Sequence, residues 1–145
     1  MKQKYIPINK RSEKKKLRDV IGALHLKILK HKRGDKCEFC GKPGLIGRFH
    51  ILPIARYLRL EFRDYNIILS HWMEECQSHY RWHHDGANSK KSKDIVKRIE
   101  ELRGKDYETD LKIQNALIPK HGLSHLKLLY MGLKQEATNL GIKIK

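Results

Sequence analysis

The sequence has no long apolar run, few cysteines and few acidic residues, and each shortage excludes a class of protein. No stretch approaches the roughly 20 consecutive apolar residues that span a membrane. The first residues, 1–7, lack the apolar core of a signal peptide, so we expect a cytoplasmic protein. Three cysteines, an odd number with two of them in a Cys-x-x-Cys motif, indicate metal ligation in a reducing compartment and not a disulfide framework.

The shortage of acidic residues leaves a large positive charge. Sixteen Asp and Glu stand against 32 Lys and Arg, for a formal net charge of +16. Such an excess destabilises a compact state by self-repulsion and is usually tolerated for a polyanionic partner. Residues 1–36 alone hold 13 Lys and Arg against three Asp and Glu, for +10. The composition therefore predicts a nucleic-acid partner, with this segment contacting phosphates. No pattern in the sequence indicates an oligomeric state.

The length of 145 residues favours one modest core with helical extensions. We divide the chain into a basic arm and N-terminal helix (1–36), a metal-containing core (37–88) and a C-terminal helical extension (89–145). Apolar spacing predicts a helix from Ser12 to Lys32 that ends at Gly34, after an irregular arm over residues 1–11. Three further helices are expected: one carrying Ile95, Ile99 and Leu102 and ending at Gly104, one over residues 107–117, and one from Ser124 to Gly141.

Cys37 and Cys40 have the spacing of one half of a structural zinc site. A tetrahedral site needs two more ligands, and Cys76 is expected to be one because it is the only other thiol. Two histidines compete for the remaining position. His79 follows Cys76 by three residues, the usual knuckle spacing, whereas choosing His71 leaves His79 available for a second metal site.

His79 and His83 are four residues apart, so on a helix both imidazoles leave the same face and can bind one cation. The apolar pattern predicts strands over residues 45–52 and 67–69 and a helix over 73–84. The first strand carries His50, and Asn66 opens the second. A metal-assisted hydrolase needs a general base and a group that orients it, and His50 with Asn66 can supply both.

These motifs together resemble the ββα-metal (HNH) endonucleases, and in particular the zinc-containing NinG-like proteins of phage and prophage recombination. The likeness extends over roughly residues 13–140 and is firmest from 37 to 84. Its segments are Arg48-Phe49-His50, Leu58-Arg59-Leu60, Asp64-Tyr65-Asn66, Trp82-His83-His84 and a C-terminal stretch from Ile99 to Leu111. A match of short motifs is a hypothesis about function.

The resemblance implies an α+β fold: a ββα-metal core stabilised by structural zinc and flanked by N- and C-terminal helices. It implies a divalent-metal-dependent endonuclease that hydrolyses DNA phosphodiester bonds, on branched or recombination DNA, inside a host cell. His50 would be the general base, Asn66 would orient it, and His79 with His83 would hold Mg²⁺ or another divalent cation. The resembling proteins tend to place a Cys at the position of His71, so we assign the zinc ligands to Cys37, Cys40, His71 and Cys76.

One residue departs from the resembling pattern. Many HNH enzymes have an Asp or His metal ligand just before the base, where this chain has Phe49. The cation would then be held by the two histidines with water and phosphate, or with a contribution from Glu75 or His84. Four arginines near the base are expected to contact phosphates: Arg48, Arg56, Arg59 and Arg63.

Two alternatives lie outside the nuclease class. The first is a non-catalytic, zinc-stabilised DNA-binding module. The second is an RNA-binding zinc protein of the translation machinery, which explains the charge but not the combination of His50 with His79 and His83.

Overall fold

The structure is a computed structural model that describes the backbone of residues 8–71, 90–120 and 122–144. These residues form four helices and one two-stranded antiparallel sheet, which confirms the α+β class. The helix predicted over residues 73–84 lies outside the described residues, so the ββα-metal core stays a prediction. In chain order the elements are α1 (Ile8–Arg33), β1 (Ile46–His50), β2 (Ile67–His71), α2 (Lys90–Arg103), α3 (Tyr107–Leu117) and α4 (Leu123–Asn139).

The start of α1 corrects one prediction. Residues 8–11 are helical, whereas the sequence predicted an irregular arm up to residue 11. These four residues include no glycine or proline, and Pro7 just before them is suited to the beginning of a helix, so nothing in the backbone stops the helix from starting at Ile8. The other end is as predicted: α1 stops at Arg33, and Gly34 follows with a positive φ of 91°.

The sheet is an antiparallel hairpin of β1 and β2. Its register pairs His50 with Ile67 at one end and Ile46 with His71 at the other. The connection between the strands contains two short 3-10 turns, Leu58–Leu60 and Asp64–Asn66. Because successive side chains on a strand point to opposite faces, Arg48 and His50 share one face of β1 and the buried Phe49 lies on the other.

The chain divides into two compact units, and the boundary falls inside α1. Within Leu29–Lys120, apolar side chains from the hairpin, the loop that follows β1, and helices α2 and α3 form one core. Its buried members include Phe49, Leu60, Ile68, Ile99 and Leu111. This core holds the hairpin in place and therefore fixes the positions of His50 and His71.

The other unit comprises Met1–Ile28 and His121–Lys145, as far as these are described. Its apolar cluster is centred on Leu24, Ile28 and Ala137, so the regularly spaced apolar side chains of α1 pack here against α4. No helix in the described parts of the chain is long and apolar enough to cross a membrane. The three-part division made from the sequence stays a prediction.

Candidate metal centre and candidate active site

The Cys-x-x-Cys segment forms a closed turn. The backbone N–H of Gly41 donates to the carbonyl of Cys37 at 2.7 Å, and the N–H of Cys37 donates to the carbonyl of Lys42 at 3.0 Å. Gly41 has a φ of 77°, a conformation that glycine adopts without steric cost. This geometry leaves Cys37 fully buried and Cys40 exposed. The turn thus brings the thiols of Cys37 and Cys40 close together in space, as a metal knuckle requires.

His71, the last residue of β2, joins these thiols. The ligand atoms of Cys37, Cys40 and His71 all lie within 4.8 Å of one another, and Cys40 Sγ is 3.4 Å from His71 Nδ1. His71 Nε2 lies 3.1 Å from the carbonyl oxygen of Pro43. A carbonyl only accepts hydrogen bonds, so we assign the ring proton to Nε2, which leaves the lone pair of Nδ1 directed at the thiol group. Metal-binding histidines are usually held by this kind of bond through the other nitrogen.

The spacing of these atoms fits zinc. In a tetrahedral site with Zn–S near 2.3 Å and Zn–N near 2.0 Å, sulfur and nitrogen are about 3.5 Å apart. The observed separation between Cys40 Sγ and His71 Nδ1 is 3.4 Å. The group can therefore hold a metal ion, and zinc as that ion stays a prediction. Of the two histidines considered for the site, His71 lies beside the thiols, whereas His79 and the expected ligand Cys76 lie outside the described residues.

Glu38, inside the knuckle, ties it to the rest of the unit. Its backbone N–H donates to the carbonyl of Leu69 at 2.7 Å, and its carboxylate accepts from the Leu69 N–H at 2.6 Å. The carboxylate also pairs with Arg33 at 3.3 Å. Arg98 of α2 donates twice to the Glu38 carbonyl, at 3.1 and 2.8 Å. Nothing in the sequence indicates this contact between Glu38 and Arg98, because sixty positions separate the two residues and no local spacing links them.

His50 occupies the end of β1 and is half-buried. Its Nε2 lies 2.9 Å from the carbonyl oxygen of Glu61 in the loop between the strands. Because that oxygen can only accept, we assign the ring proton to Nε2, and Nδ1 is then the basic nitrogen. A histidine fixed in one tautomer by a backbone carbonyl is suited to act as a general base.

Arg48 shares the partner of His50. Its Nη1 donates to the same Glu61 carbonyl at 3.3 Å, and its guanidinium lies over the ring of Phe62, 5.4 Å from the centroid. Burial lowers the pKa of Arg48, and the charge of Glu61 acts in the opposite direction. The guanidinium nevertheless stays charged. The structure binds the Arg48 guanidinium to the loop that holds His50, and the predicted phosphate contact of Arg48 stays a prediction.

Asn66 is fully buried and binds the backbone of the loop. Its side-chain oxygen accepts from the Leu52 N–H at 2.8 Å, and its amide donates to the carbonyls of Leu52 at 3.2 Å and Leu60 at 3.5 Å. Its own carbonyl accepts from the N–H of Ile51 at 2.8 Å. Asn66 therefore closes the loop between the strands, and its influence on His50 passes through the backbone of Ile51 and Leu52.

The remaining predicted residues differ in placement. Arg56 and Arg63 are exposed and Arg59 is half-buried. Phe49 is buried and stacks edge-on against Phe39 with centroids 5.1 Å apart, so it faces the core. The predicted cation ligands His79 and His83, with Glu75 and His84, lie outside the described residues, and the cation site stays a prediction.

The two sites occupy opposite ends of the hairpin. His50 pairs with the first residue of β2, and His71 pairs with the first residue of β1. Four residues of strand at roughly 3.3 Å each separate them by about 13 Å. A metal ion at the Cys37, Cys40 and His71 group is therefore too far from His50 to act on the same phosphate. Any cation that works with His50 must bind elsewhere.

Comparison with known proteins adds no family assignment. No protein-family model matches the chain, and neither a curated protein nor a solved structure matches it.

Proposed function

We propose that this protein is a divalent-metal-dependent endonuclease that cleaves DNA phosphodiester bonds, with His50 as the general base. The observation that carries the proposal is the hydrogen bond between His50 Nε2 and the Glu61 carbonyl, which leaves Nδ1 as a fixed basic nitrogen at the end of β1. The motifs that resemble HNH nucleases put the base at this position, and they add to the argument.

His50 would activate a water molecule. As Nδ1 takes a proton from the water, the water oxygen forms a bond to phosphorus and the bond between phosphorus and the leaving sugar oxygen breaks. A divalent cation at His79 and His83 would supply charge stabilisation at the phosphate and the leaving oxygen. His50 would place and activate the water. The Glu61 carbonyl and Arg48 would hold His50 in one orientation.

The charge of the protein supports a nucleic-acid substrate. The net charge of +16 and the exposed side chains of Arg56 and Arg63, on the loop that follows His50, suit contacts with a phosphate backbone. Branched or recombination DNA as the substrate rests on the resemblance alone.

Zinc at Cys37, Cys40, His71 and Cys76 would be structural in this proposal. The distance of about 13 Å from His50 along the hairpin supports that division of labour. Zinc bound there would hold the end of β2 against the knuckle, because His71 is both a strand residue and a ligand.

A second candidate function is a non-catalytic, zinc-stabilised DNA-binding module. Phe49 favours it, because this residue stands where many HNH enzymes have a metal ligand and its side chain is only 1% exposed. Such a module would need the basic surface and the zinc site but not His50.

The deciding experiment measures cleavage of supercoiled plasmid and of a four-way DNA junction over a titration of Mg²⁺ and Mn²⁺. Wild type, His50→Ala and a control, His31→Ala, are compared; His31 is an exposed histidine of α1. We expect nicks from wild type and the control, and a rate lower by roughly 10² to 10⁴ for His50→Ala, the usual contribution of a general base. Equal rates from wild type and His50→Ala, or no cleavage from either, would favour the binding module.

A further inference from the structure

A cavity of about 240 Å³ lies beside the loop that follows His50. Its wall begins at Ile51 and Leu52, the next two residues of the chain after His50, and continues on α3. Neither the proposed cleavage chemistry nor the metal group uses it. A water molecule occupies about 30 Å³ in the liquid, so the cavity has the room of roughly eight waters. That suits one flat ring with its substituents and is too small for a base pair.

Two tyrosines give the cavity an aromatic lining. Tyr57 is half-buried on the loop, and Tyr107 is the first residue of α3, only 5% exposed. The hydroxyl of Tyr107 makes no hydrogen bond to any residue in the described part of the chain. Burial, followed by the charges of Glu108 and Glu100, raises the pKa of Tyr107, so the phenol keeps its proton and can donate. An unpartnered donor beside an apolar wall is suited to an acceptor atom on a flat ligand.

Positive charge lines the same cavity. Arg56 and Lys112 are both exposed, and Lys112 pairs with Glu108 at 3.1 Å. Two cations against one carboxylate leave one positive charge. A ligand that carries a flat apolar ring and a single negative group fits this combination better than a neutral or a cationic one.

We propose that this cavity binds one unpaired nucleotide of a nucleic-acid chain, with the base against the ring of Tyr57 and within reach of the Tyr107 hydroxyl, and the phosphate near Arg56 and Lys112. The inference rests on the proposed function, since it takes nucleic acid as the partner, and it names the substrate feature: DNA in which a base is out of the helix. Stacking on aromatic side chains is the usual way in which proteins bind bases without regard to their sequence.

The test is a binding assay that involves no cleavage. Full-length protein in buffer without added divalent cation is titrated into three labelled duplexes of equal length: uninterrupted, with a one-base bulge, and with an abasic residue as the bulge. Fluorescence anisotropy gives each dissociation constant. We expect the duplex with the bulged base to bind roughly 5- to 150-fold tighter than the duplex with the abasic bulge, which is the range for one stacked base.

Variants assign that preference to the cavity. Tyr107→Phe keeps the packing of the ring and removes only the hydroxyl, and Tyr57→Leu removes the stacking face. Both should reduce the preference for the base over the abasic residue, whereas Tyr130→Phe, a tyrosine of α4 outside the cavity, should leave it unchanged. Arg56→Gln should weaken binding of the bulged duplex more than binding of the uninterrupted duplex. Arg63 is exposed on the same loop but lies outside the cavity, so Arg63→Gln should weaken binding of both duplexes equally.

The outcomes separate this inference from the proposed function. Equal affinity for the bulged base and the abasic bulge, or a preference that survives both tyrosine variants, would overturn the cavity assignment while leaving an endonuclease intact. A free mononucleotide, deoxycytidine monophosphate, is added as competitor. Binding of it as tight as that of the bulged duplex would show that the cavity takes free nucleotides and not a residue of a chain. No binding to any of the three duplexes would overturn both proposals.

Discussion

At the scale of single residues, the Glu61 carbonyl is the atom on which the proposed base depends. It accepts from both His50 and Arg48, so these two side chains of one strand face are bound to the same point of the loop. In this position Arg48 makes a charge-assisted hydrogen bond to the Glu61 carbonyl and contacts the ring of Phe62. A phosphate contact would require it to leave both.

Arg48 is therefore expected to act as a positioning residue. Arg48→Ala should lower the cleavage rate at saturating DNA by roughly 10- to 100-fold, because a displaced carbonyl leaves His50 misaligned by a fraction of an ångström. Its affinity for DNA should change little. Arg63→Ala is the matched control, and it should weaken DNA binding with little effect on the saturated rate. The reverse pattern, lost affinity with a normal rate for Arg48→Ala, would restore the phosphate contact that the sequence predicts.

Asn66 is expected to matter first for stability. Asn66→Ala leaves the N–H and carbonyl of Leu52 without their partner, and each unsatisfied buried group costs about 1–3 kcal/mol. Urea unfolding should therefore show a loss of about 2–6 kcal/mol. In cleavage, the variant should fall between wild type and His50→Ala under conditions where it is folded. Wild-type stability for Asn66→Ala would contradict the hydrogen bonds described here.

At the scale of elements, the knuckle and the end of β2 together form the group that could hold a metal ion. Gly44 lies against His71: with a φ of 148°, it approaches the side chain so closely that a Cβ atom would be 3.0 Å from the ring atoms Cδ2 and Nε2. The ring would have to shift by a few tenths of an ångström to make room, which would disturb its position beside Cys40. The backbone there also takes a conformation that other residues rarely adopt.

Gly44→Ala is expected to weaken metal binding by roughly 10- to 100-fold, the range seen when the support of a ligating histidine is lost. Competition with a chromogenic zinc chelator measures this directly. Gly132→Ala is the control, since a Cβ at that position on α4 meets nothing within 4 Å and alanine favours a helix. Equal zinc affinity for wild type and Gly44→Ala would remove His71 from the ligand set.

Zinc itself is expected to be required for folding of the core. Metal binding in small modules is folding free energy, of order 10 kcal/mol in zinc-finger peptides. Cys37→Ser, or chelation of wild type, should abolish the cooperative unfolding transition in circular dichroism, and elemental analysis of wild type should find one zinc per chain. Folded native protein without zinc would contradict this expectation.

The sequence predicts elements well where a glycine ends them. Gly34 and Gly104 follow α1 and α2, with φ values of 91° and 95°, and the apolar stripes between such stops give helices with nearly the expected bounds. Strand alternation likewise predicts that Arg48 and His50 share a face. It cannot predict that the loop after β1 returns Glu61 to that face, because loop closure depends on contacts distant in sequence. For the same reason spacing left both His71 and His79 open as ligands.

At the scale of the whole molecule, charge governs the encounter with DNA. Affinity should fall steeply with salt, by roughly 0.9 in logarithmic slope for each phosphate neutralised. Residues 1–11 contain four Lys and Arg, so deleting them should reduce the slope by up to roughly 3.6 without abolishing cleavage. Anisotropy titrations at several salt concentrations measure both slopes. An unchanged slope would mean that this segment contacts no phosphates.

The antiparallel register has one further consequence. A slip of β2 by a single residue would move His71 away from Cys40, and it would equally pair His50 with a residue other than Ile67. A metal ion bound by His71 would therefore fix the register of the two strands, and with it the pairing of His50 about 13 Å away. We therefore expect zinc added to metal-free protein to restore activity only as fast as the core folds and the two strands pair in this register.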